Sequence, residues 1–219
     1  SMMIKAIIID DEKNAREAIS AIIKMYNSNV SVVAEAENVQ SGIEAIHKHQ
    51  PQLVFLDINM PDGTGFDLLK KIGDITFKII FITAYEAYAI KAFKYSAMDY
   101  LLKPVDPDDL INAIANAEAS INKEHIGKQL ETYFSNTMGP SAANPKLQKI
   151  VLKTTDDIYV IAVSDIIRCE SDGNYTTVHL NNGKKIMVAK TLKEYEDLLG
   201  SHGFIRPHQS HLFNINYFG

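Results

Sequence analysis

The chain has 219 residues, 46% of them hydrophobic and 22% charged, which suits a globular protein with room for two modest domains. No apolar run approaches the roughly 18 residues of a membrane span, and Ser1-Met2-Met3-Ile4 lacks the basic and apolar regions of a signal peptide. The net charge of -5 is unevenly spread: residues 1–124 hold 12 Lys/Arg against 18 Asp/Glu, and residues 125–219 hold 10 against 9. The second half is thus near neutral, which permits a nucleic-acid partner without demonstrating one. Ser1 ahead of a methionine reads as a cloning remnant, and the single Cys169 cannot close an internal disulfide and fits a reducing cytoplasm.

Ala6 to Ile9 reads as a buried strand ending at an acidic cluster. Ala15, Ala18, Ile19, Ile22 and Ile23 then keep the spacing of a one-faced helix. A strand at Val30 to Ala36 and a short helix at Gly42 to His49 follow, then Leu53 to Leu56 runs as a strand into Asp57. After the turn-rich Met60 to Gly65, the pattern predicts a helix over Phe66 to Ile72, a strand over Phe77 to Ile82, a helix over Glu86 to Lys94 and a strand over Asp99 to Leu102. Leu110, Ile114, Ala117 and Ile121 stripe a last helix that Pro107 opens. Five apolar strands alternating with five helices imply an α/β fold, a doubly wound parallel sheet covered on both faces. Ligands of such sheets bind beyond the carboxyl ends of the strands.

Around residues 124–148 the periodicity weakens, and Ser135 to Ser141 has the texture of a linker. Beyond it the chain turns mostly β. Strands are predicted at Ile150 to Lys153, Ile158 to Ala162, Ile166 to Cys169, Tyr175 to Leu180 and Lys185 to Val188, with Thr155-Asp156-Asp157 and Asn181-Asn182-Gly183 as turns. One helix intervenes, opened by the capping box Thr191-Leu192-Lys193-Glu194 and closed by Gly200.

The parallel sheet brings Asp10 and Asp11, at the end of its first strand, beside Asp57 at the end of its third. At about 4 Å and an effective dielectric of about 20, each like-charge pair costs about 4 kcal/mol. The cluster therefore calls for protonation, a cation or a basic side chain; oxygen ligands in an open loop favour hydrated Mg²⁺. Lys103 and Thr83, each at a strand end, offer an ammonium and a hydroxyl. Together these groups are what phosphoryl transfer onto a carboxylate requires. Solvated loop residues are the plainer reading of any one of them, but joint placement at four strand ends argues against it.

Residues 3–123 resemble the receiver domain of two-component response regulators, through Asp10-Asp11, Asp57, Met60-Pro61-Asp62-Gly63, Thr83-Ala84, Tyr100 and Lys103-Pro104. The resemblance implies Asp57 as the phosphorylated residue, with a histidine kinase as donor. It implies Mg²⁺ held by Asp10, Asp11, Asp57 and the main-chain carbonyl of Asn59, with Asp10 acting mainly through water. Thr83 and Tyr100 become a switch pair, Lys103 the phosphate-contacting cation before a cis peptide to Pro104. The surface after the fourth strand is expected to mediate homodimerisation. A haloacid-dehalogenase-type phosphatase would need a carboxylate two residues beyond the nucleophile, where Asn59 stands, so the expectation is a regulator rather than an enzyme.

Residues 147–219 resemble the LytTR DNA-binding domain, through Asp165 to Thr176, the hairpin at Asn182-Gly183, the helix at Thr191 to Leu199 and above all Phe204 to Asn214. Residues 124–146 are then a linker. The resemblance implies duplex DNA as partner, with Asn174 or Tyr175 and the segment His208-Gln209 on major-groove loops and Arg206 near phosphates. The family pattern runs on for roughly 30–40 residues, a length of two short strands with turns, so an incomplete second domain is expected.

Rival readings of single residues are weaker. His208 to His211 and His47 to His49 lack the partners of a metal site. Gly63 and Gly65 suit turns, since no Gly-Lys-Ser/Thr follows. Cys169 lies in an apolar strand and reads as an inert buried thiol. Tyr159, Tyr175 and Phe204 do not form the exposed aromatic array of an RNA-binding sheet.

Overall fold

The computed structural model describes residues 2–26, 29–137 and 148–218, without the side chains of 134–137. The chain divides into two compact units, residues 1–122 and 123–219.

The first unit carries strands β1 (Ile4–Ile9), β2 (Val30–Ala36), β3 (Leu53–Leu56), β4 (Lys78–Thr83) and β5 (Asp99–Leu102), helices α1 (Lys13–Met25), α2 (Val39–His49), α3 (Gly65–Ile72) and α4 (Ala89–Lys94), and the part of α5 (Pro107–Thr137) up to residue 122. The strands form one parallel sheet in the order β2-β1-β3-β4-β5. Alternate residues of each strand feed two cores. Ile4, Ala6, Ile8, Phe55, Ile80 and Ile82 meet α1 and α5 on one face, while Ile7, Ile9, Val54, Leu56 and Phe81 meet α2 and α3 on the other. Burial on both faces is why these strands are continuous apolar runs.

The starts of α2, α3 and α5 are set by short polar side chains. Asn38 and Ser41 form a capping box at α2, so that helix begins at Val39, three residues earlier than its apolar pattern suggests. Thr64 and Asp67 do the same for α3. Asp106 accepts from the amides of Asp108 and Asp109 ahead of Pro107. The helix expected over Glu86 to Lys94 is divided, with a 3-10 turn at Glu86–Tyr88 leading into α4.

The expected linker from residue 124 is helical as far as Thr137, because α5 runs on; residues 138–146 lie outside the described residues. Residues 123–137 of α5 belong to the second unit and pack there on a two-stranded hairpin, β6 (Lys149–Lys153) with β7 (Ile158–Ala162). Lys123 donates to the carbonyls of Thr154 and Thr155 at 2.8 and 2.6 Å, and Lys153 pairs with Glu131 at 3.3 Å. Gly127 makes room for this: a Cβ there would lie 2.5 Å from Lys153 Cε.

The rest of the second unit comprises β8 (Ile166–Asp172), β9 (Tyr175–Leu180), β10 (Lys185–Val188), α6 (Leu192–Leu199), β11 (Phe204–His208) and β12 (His211–Asn214). The five strands make an antiparallel sheet in the order β10-β9-β8-β12-β11. One face buries Cys169, Val178, Ile186, Phe204 and Leu212 with α6 residues Leu192, Tyr195 and Leu199; the other carries Arg168, Glu170, His179, His211 and Phe213. The Thr191–Glu194 capping box forms as expected. Gly200, expected to stop α6, is right-handed and continues into a 3-10 turn; the left-handed residue that ends it is Gly203, with φ of 83°.

Candidate functional site

The carboxyl ends of β1, β3, β4 and β5 meet at one acidic pocket. Carboxylate oxygens of Asp10, Asp11, Glu12 and Asp57 lie within 4.8 Å of one another. Asp10 and Asp57 are 1% and 5% exposed, so their charges stand in a poorly solvated place. Lys103 reaches all three sides of the pocket, its Nζ 2.9 Å from Asp10 Oδ2, 3.0 Å from Asp57 Oδ2 and 3.1 Å from Glu12 Oε1. Burial alone would lower the Lys103 ammonium's pKa, but its bonds to Asp10 and Asp57 and their charges outweigh that and hold it above the ordinary value.

Asp57 is fixed at both oxygens, accepting from the Ile58 amide at 2.7 Å on Oδ1 and from Lys103 on Oδ2. Asp10 accepts the Glu12 amide on Oδ1 at 2.9 Å, while its buried Oδ2 meets Lys103 as an ion pair and has no aligned hydrogen-bond donor. Burial pushes the Asp10 carboxyl up from 3.8 to about 6, with Lys103 pulling the other way. An anionic, donor-poor oxygen in a set of oxygen ligands suits a hard cation. Asn59 lies two residues past Asp57, paired with Thr64 in a two-residue ladder. Gly65 closes the loop: a Cβ there would sit 2.5 Å from the Asp57 carbonyl oxygen.

Thr83 is fully buried at the end of β4, and its Oγ1 accepts the Tyr85 amide at 3.4 Å. Tyr100, on β5, donates its hydroxyl to the Tyr85 carbonyl and packs on Phe81 with ring centroids 6.1 Å apart. Burial raises the Tyr100 phenol above its ordinary pKa, so it is a donor at neutral pH. Both members of the expected switch pair are therefore tied to Tyr85. The peptide from Lys103 to Pro104 is cis, as expected.

Three further side chains support the pocket, and of these only Asp62 belongs to a motif marked in the sequence, Met60–Gly63. Glu12 adds a fourth carboxylate, for which the signal was a third consecutive acid after Asp10-Asp11. Arg16 donates to the Asp10 carbonyl at 2.7 Å from one helical turn on. Asp62 caps α2 across the loop, accepting from the amides of Val39 and Gln40 at 2.7 and 3.0 Å, and those bonds hold its carboxyl below the ordinary value. No local spacing could signal a contact 23 positions away.

In the second unit the candidate DNA residues gather at one end of the antiparallel sheet. Asn174 is in the β8–β9 turn with Tyr175 just after it, and Gln209 is in the β11–β12 turn. Pairing of β8 with β12 sets the two turns side by side, and the Ser171 amide donates to the Ser210 carbonyl at 2.8 Å. Asn174, Tyr175, His208 and Gln209 are exposed. Arg206 differs: its guanidinium donates to Glu196 Oε2 and to the Gln209 carbonyl, both at 2.8 Å. Cys169 is buried, its thiol pushed up to about 12 by desolvation, which is the inert thiol expected. His208 and His211 join through Ser210 Oγ, and neither belongs to a potential metal cluster among the described residues.

The comparisons with known proteins agree with both halves. Residues 6–115 match the response regulator receiver domain, and residues 156–218 match the LytTr DNA-binding domain. Sensory transduction protein LytT of Oceanobacillus iheyensis is 30% identical, over 98% of this chain and 82% of its own length. Transcriptional regulatory protein LytR of Staphylococcus aureus is 31% identical, over 97% and 84%. Among solved structures, the REC domain of AraT, a response regulator from Geobacillus stearothermophilus, superposes on 57% of this chain and 99% of its own with a TM-score of 0.53 and 34% identity. A receiver fold ending in an acid-lysine pocket, followed by a LytTR fold, places the chain in the family of two-component response regulators that control transcription.

Proposed function

We propose that Asp57 is the phosphoryl acceptor and that its modification, from a partner histidine kinase in the cytoplasm, changes DNA binding by residues 123–219. The observation that carries this reading is Asp57 itself. It is a buried carboxylate with an amide on one oxygen and an ammonium on the other, among oxygens that need a cation.

Asp10, Asp11 and Asp57 would hold Mg²⁺, with the Asn59 carbonyl completing the set, and Glu12 stands close enough to take part. When bound, the ion offsets the negative charge of the carboxylates and of the incoming phosphoryl group. An Asp57 carboxylate oxygen forms a bond to phosphorus as the bond from phosphorus to the donor nitrogen breaks, the electron pair leaving on the donor imidazole. Lys103 turns from Asp57 to a phosphoryl oxygen. Thr83 leaves the Tyr85 amide to donate to another, and the loop that also holds the Tyr100 hydroxyl is released. Tyr100 then fills the space Thr83 gives up.

The neighbouring surface is apolar. Ile90 and Phe93 on α4 are 80% and 83% exposed, and Leu102 on β5 is 44% exposed, which supports homodimerisation of the phosphorylated form there. DNA would meet Asn174, Tyr175, His208 and Gln209, whose amide and ring groups can read base edges. No external phosphoester would be turned over, since no carboxylate stands two residues beyond Asp57.

Intact-mass spectrometry after incubation with acetyl phosphate and Mg²⁺ tests the acceptor. The chain should gain one phosphoryl group, and Asp57→Asn should gain none; equal gain by both sinks the assignment. Sedimentation with and without beryllofluoride tests dimerisation, which fails if the profiles coincide at every concentration.

A further inference from the structure

The β11–β12 turn is poorly supported by its own ladder. The register of β11 on β12 slips between Ile205 and His208, and the slip spans Arg206 and Pro207. Pro207 has no amide to give, so the ladder loses a rung just before the residues expected to meet DNA. Two side-chain braces replace it.

The first starts on α6. Glu196 Oε2 accepts from Arg206 Nη1 at 2.8 Å, and Arg206 Nη2 donates at 2.8 Å to the Gln209 carbonyl at the tip of the turn. One planar guanidinium thus spans helix, strand and turn, a reach suited to its fixed fork of donors. The second starts on β8. Glu170 Oε2 accepts from Arg168 Nη1 and His179 Nε2, both at 3.1 Å, and its Oε1 lies 3.5 Å from His211 Nε2. His211 Nδ1 and His208 Nδ1 both meet Ser210 Oγ, at 2.9 and 2.7 Å. The Ser210 amide also donates to His208 Nδ1 at 3.2 Å.

We propose that Glu196 and Glu170 are positioning residues for DNA recognition: acting through Arg206 and through His211, they hold the His208–His211 turn in the shape that presents His208 and Gln209 to the groove. The inference rests on the DNA-binding reading above and deepens it. It also assigns Arg206 to the brace rather than to a phosphate. Its consequence runs against simple electrostatics. Removing a negative charge from a DNA-facing unit should tighten binding to a polyanion, whereas removing a brace should weaken binding to the chosen sequence.

The test uses the full chain and a duplex that the unaltered chain itself selects from a random pool, with an unrelated duplex as the non-specific probe. Glu196→Gln is expected to bind the selected duplex about five- to tenfold more weakly, the effect of about one hydrogen bond. It should bind the unrelated duplex at least as well as the parent. The salt dependence of specific binding should keep its slope in Glu196→Gln and in Arg206→Ala, whereas loss of one phosphate contact lowers it by about 0.9. Glu170→Gln should act in the same direction. Unchanged or tighter specific binding by both glutamine variants, or a flatter salt slope for Arg206→Ala, overturns the proposal while leaving the DNA reading intact. Should the unaltered chain select no sequence, the DNA reading itself fails and positioning for DNA falls with it. Hydrogen exchange in the free chain tests the brace by itself: amides of Gln209 to His211 should exchange faster in Glu196→Gln while those of β9 do not, and equal rates overturn it.

Discussion

The parallel sheet of β1 to β5 and the antiparallel sheet of β8 to β12 solve the same problem differently. The first is covered on both faces, so its polar groups stand at the strand ends, where Asp10, Asp57 and Lys103 converge and Thr83 closes the neighbouring strand. The second is covered on one face, and its other face is free to carry Arg168, Glu170, His179 and His211 in a network that ends at two turns. A two-sided core gives a rigid pocket made of strand ends. A one-sided core leaves turns whose shape depends on exposed polar bonds, each worth about 1 kcal/mol.

The sharpest way to separate the two regions is chemical. Cys169 is buried in the second unit and its thiol is held at about 12, so native protein at pH 8 should be alkylated by iodoacetamide at least ~10³-fold more slowly than unfolded chain. Mass spectrometry follows the reaction, and fast labelling under native conditions would show that this core opens freely. Next in size is the packing contrast. Phe81→Ala, at 0% exposure in the parallel sheet, should cost about 3–5 kcal/mol in urea unfolding. Met187→Ala, 52% exposed on β10, should cost no more than about 0.5 kcal/mol. Similar costs would erase the distinction between two-sided and one-sided cores.

Gly65→Ala comes third. Its Cβ would meet the Asp57 carbonyl at 2.5 Å, so the loop must move, at about 1–3 kcal/mol, and phosphoryl uptake should slow. Unchanged stability and uptake would show that the loop yields easily. The smallest effect is that of pH. The Asp10 carboxyl is raised in the folded chain from 3.8 to about 6, so the folded state binds more protons between those values. Asp10's contribution to magnesium-free stability should therefore fall as pH rises through that window and level off above it, against the opposite trend of Asp62, Asp67 and Glu170, whose carboxyls are held below their ordinary values. Melting curves of the parent and of Asp10→Asn should thus diverge by a few degrees, the variant gaining on the parent as pH rises. A difference that stays constant, or runs the other way, would refute the burial argument.

The sequence makes the parallel sheet plain because each strand is a run of apolar residues and each site residue follows directly after one. Period and position together therefore locate Asp10, Asp57, Thr83 and Lys103. Other features depend on contacts that no local pattern records. Residues 123–137 are too polar to show a stripe, and their helix is supported by Lys123 and Glu131 meeting the β6–β7 hairpin. Gly200 and Gly203 are chemically alike, and only backbone geometry reveals that the second ends the turn after α6. Arg206 likewise carries no local sign that Glu196, ten positions earlier, lies at its guanidinium.

The strand order of the second sheet has a consequence for how the chain is made. β8 and β9 can pair as a local hairpin soon after both leave the ribosome, with β10 adding to them, but β8 keeps an open edge until β12 arrives. During synthesis that edge waits for roughly another forty residues, several seconds at ordinary elongation rates. Nascent chains stalled before residue 211 should therefore be readily cleaved by protease within this unit, and the released chain should resist.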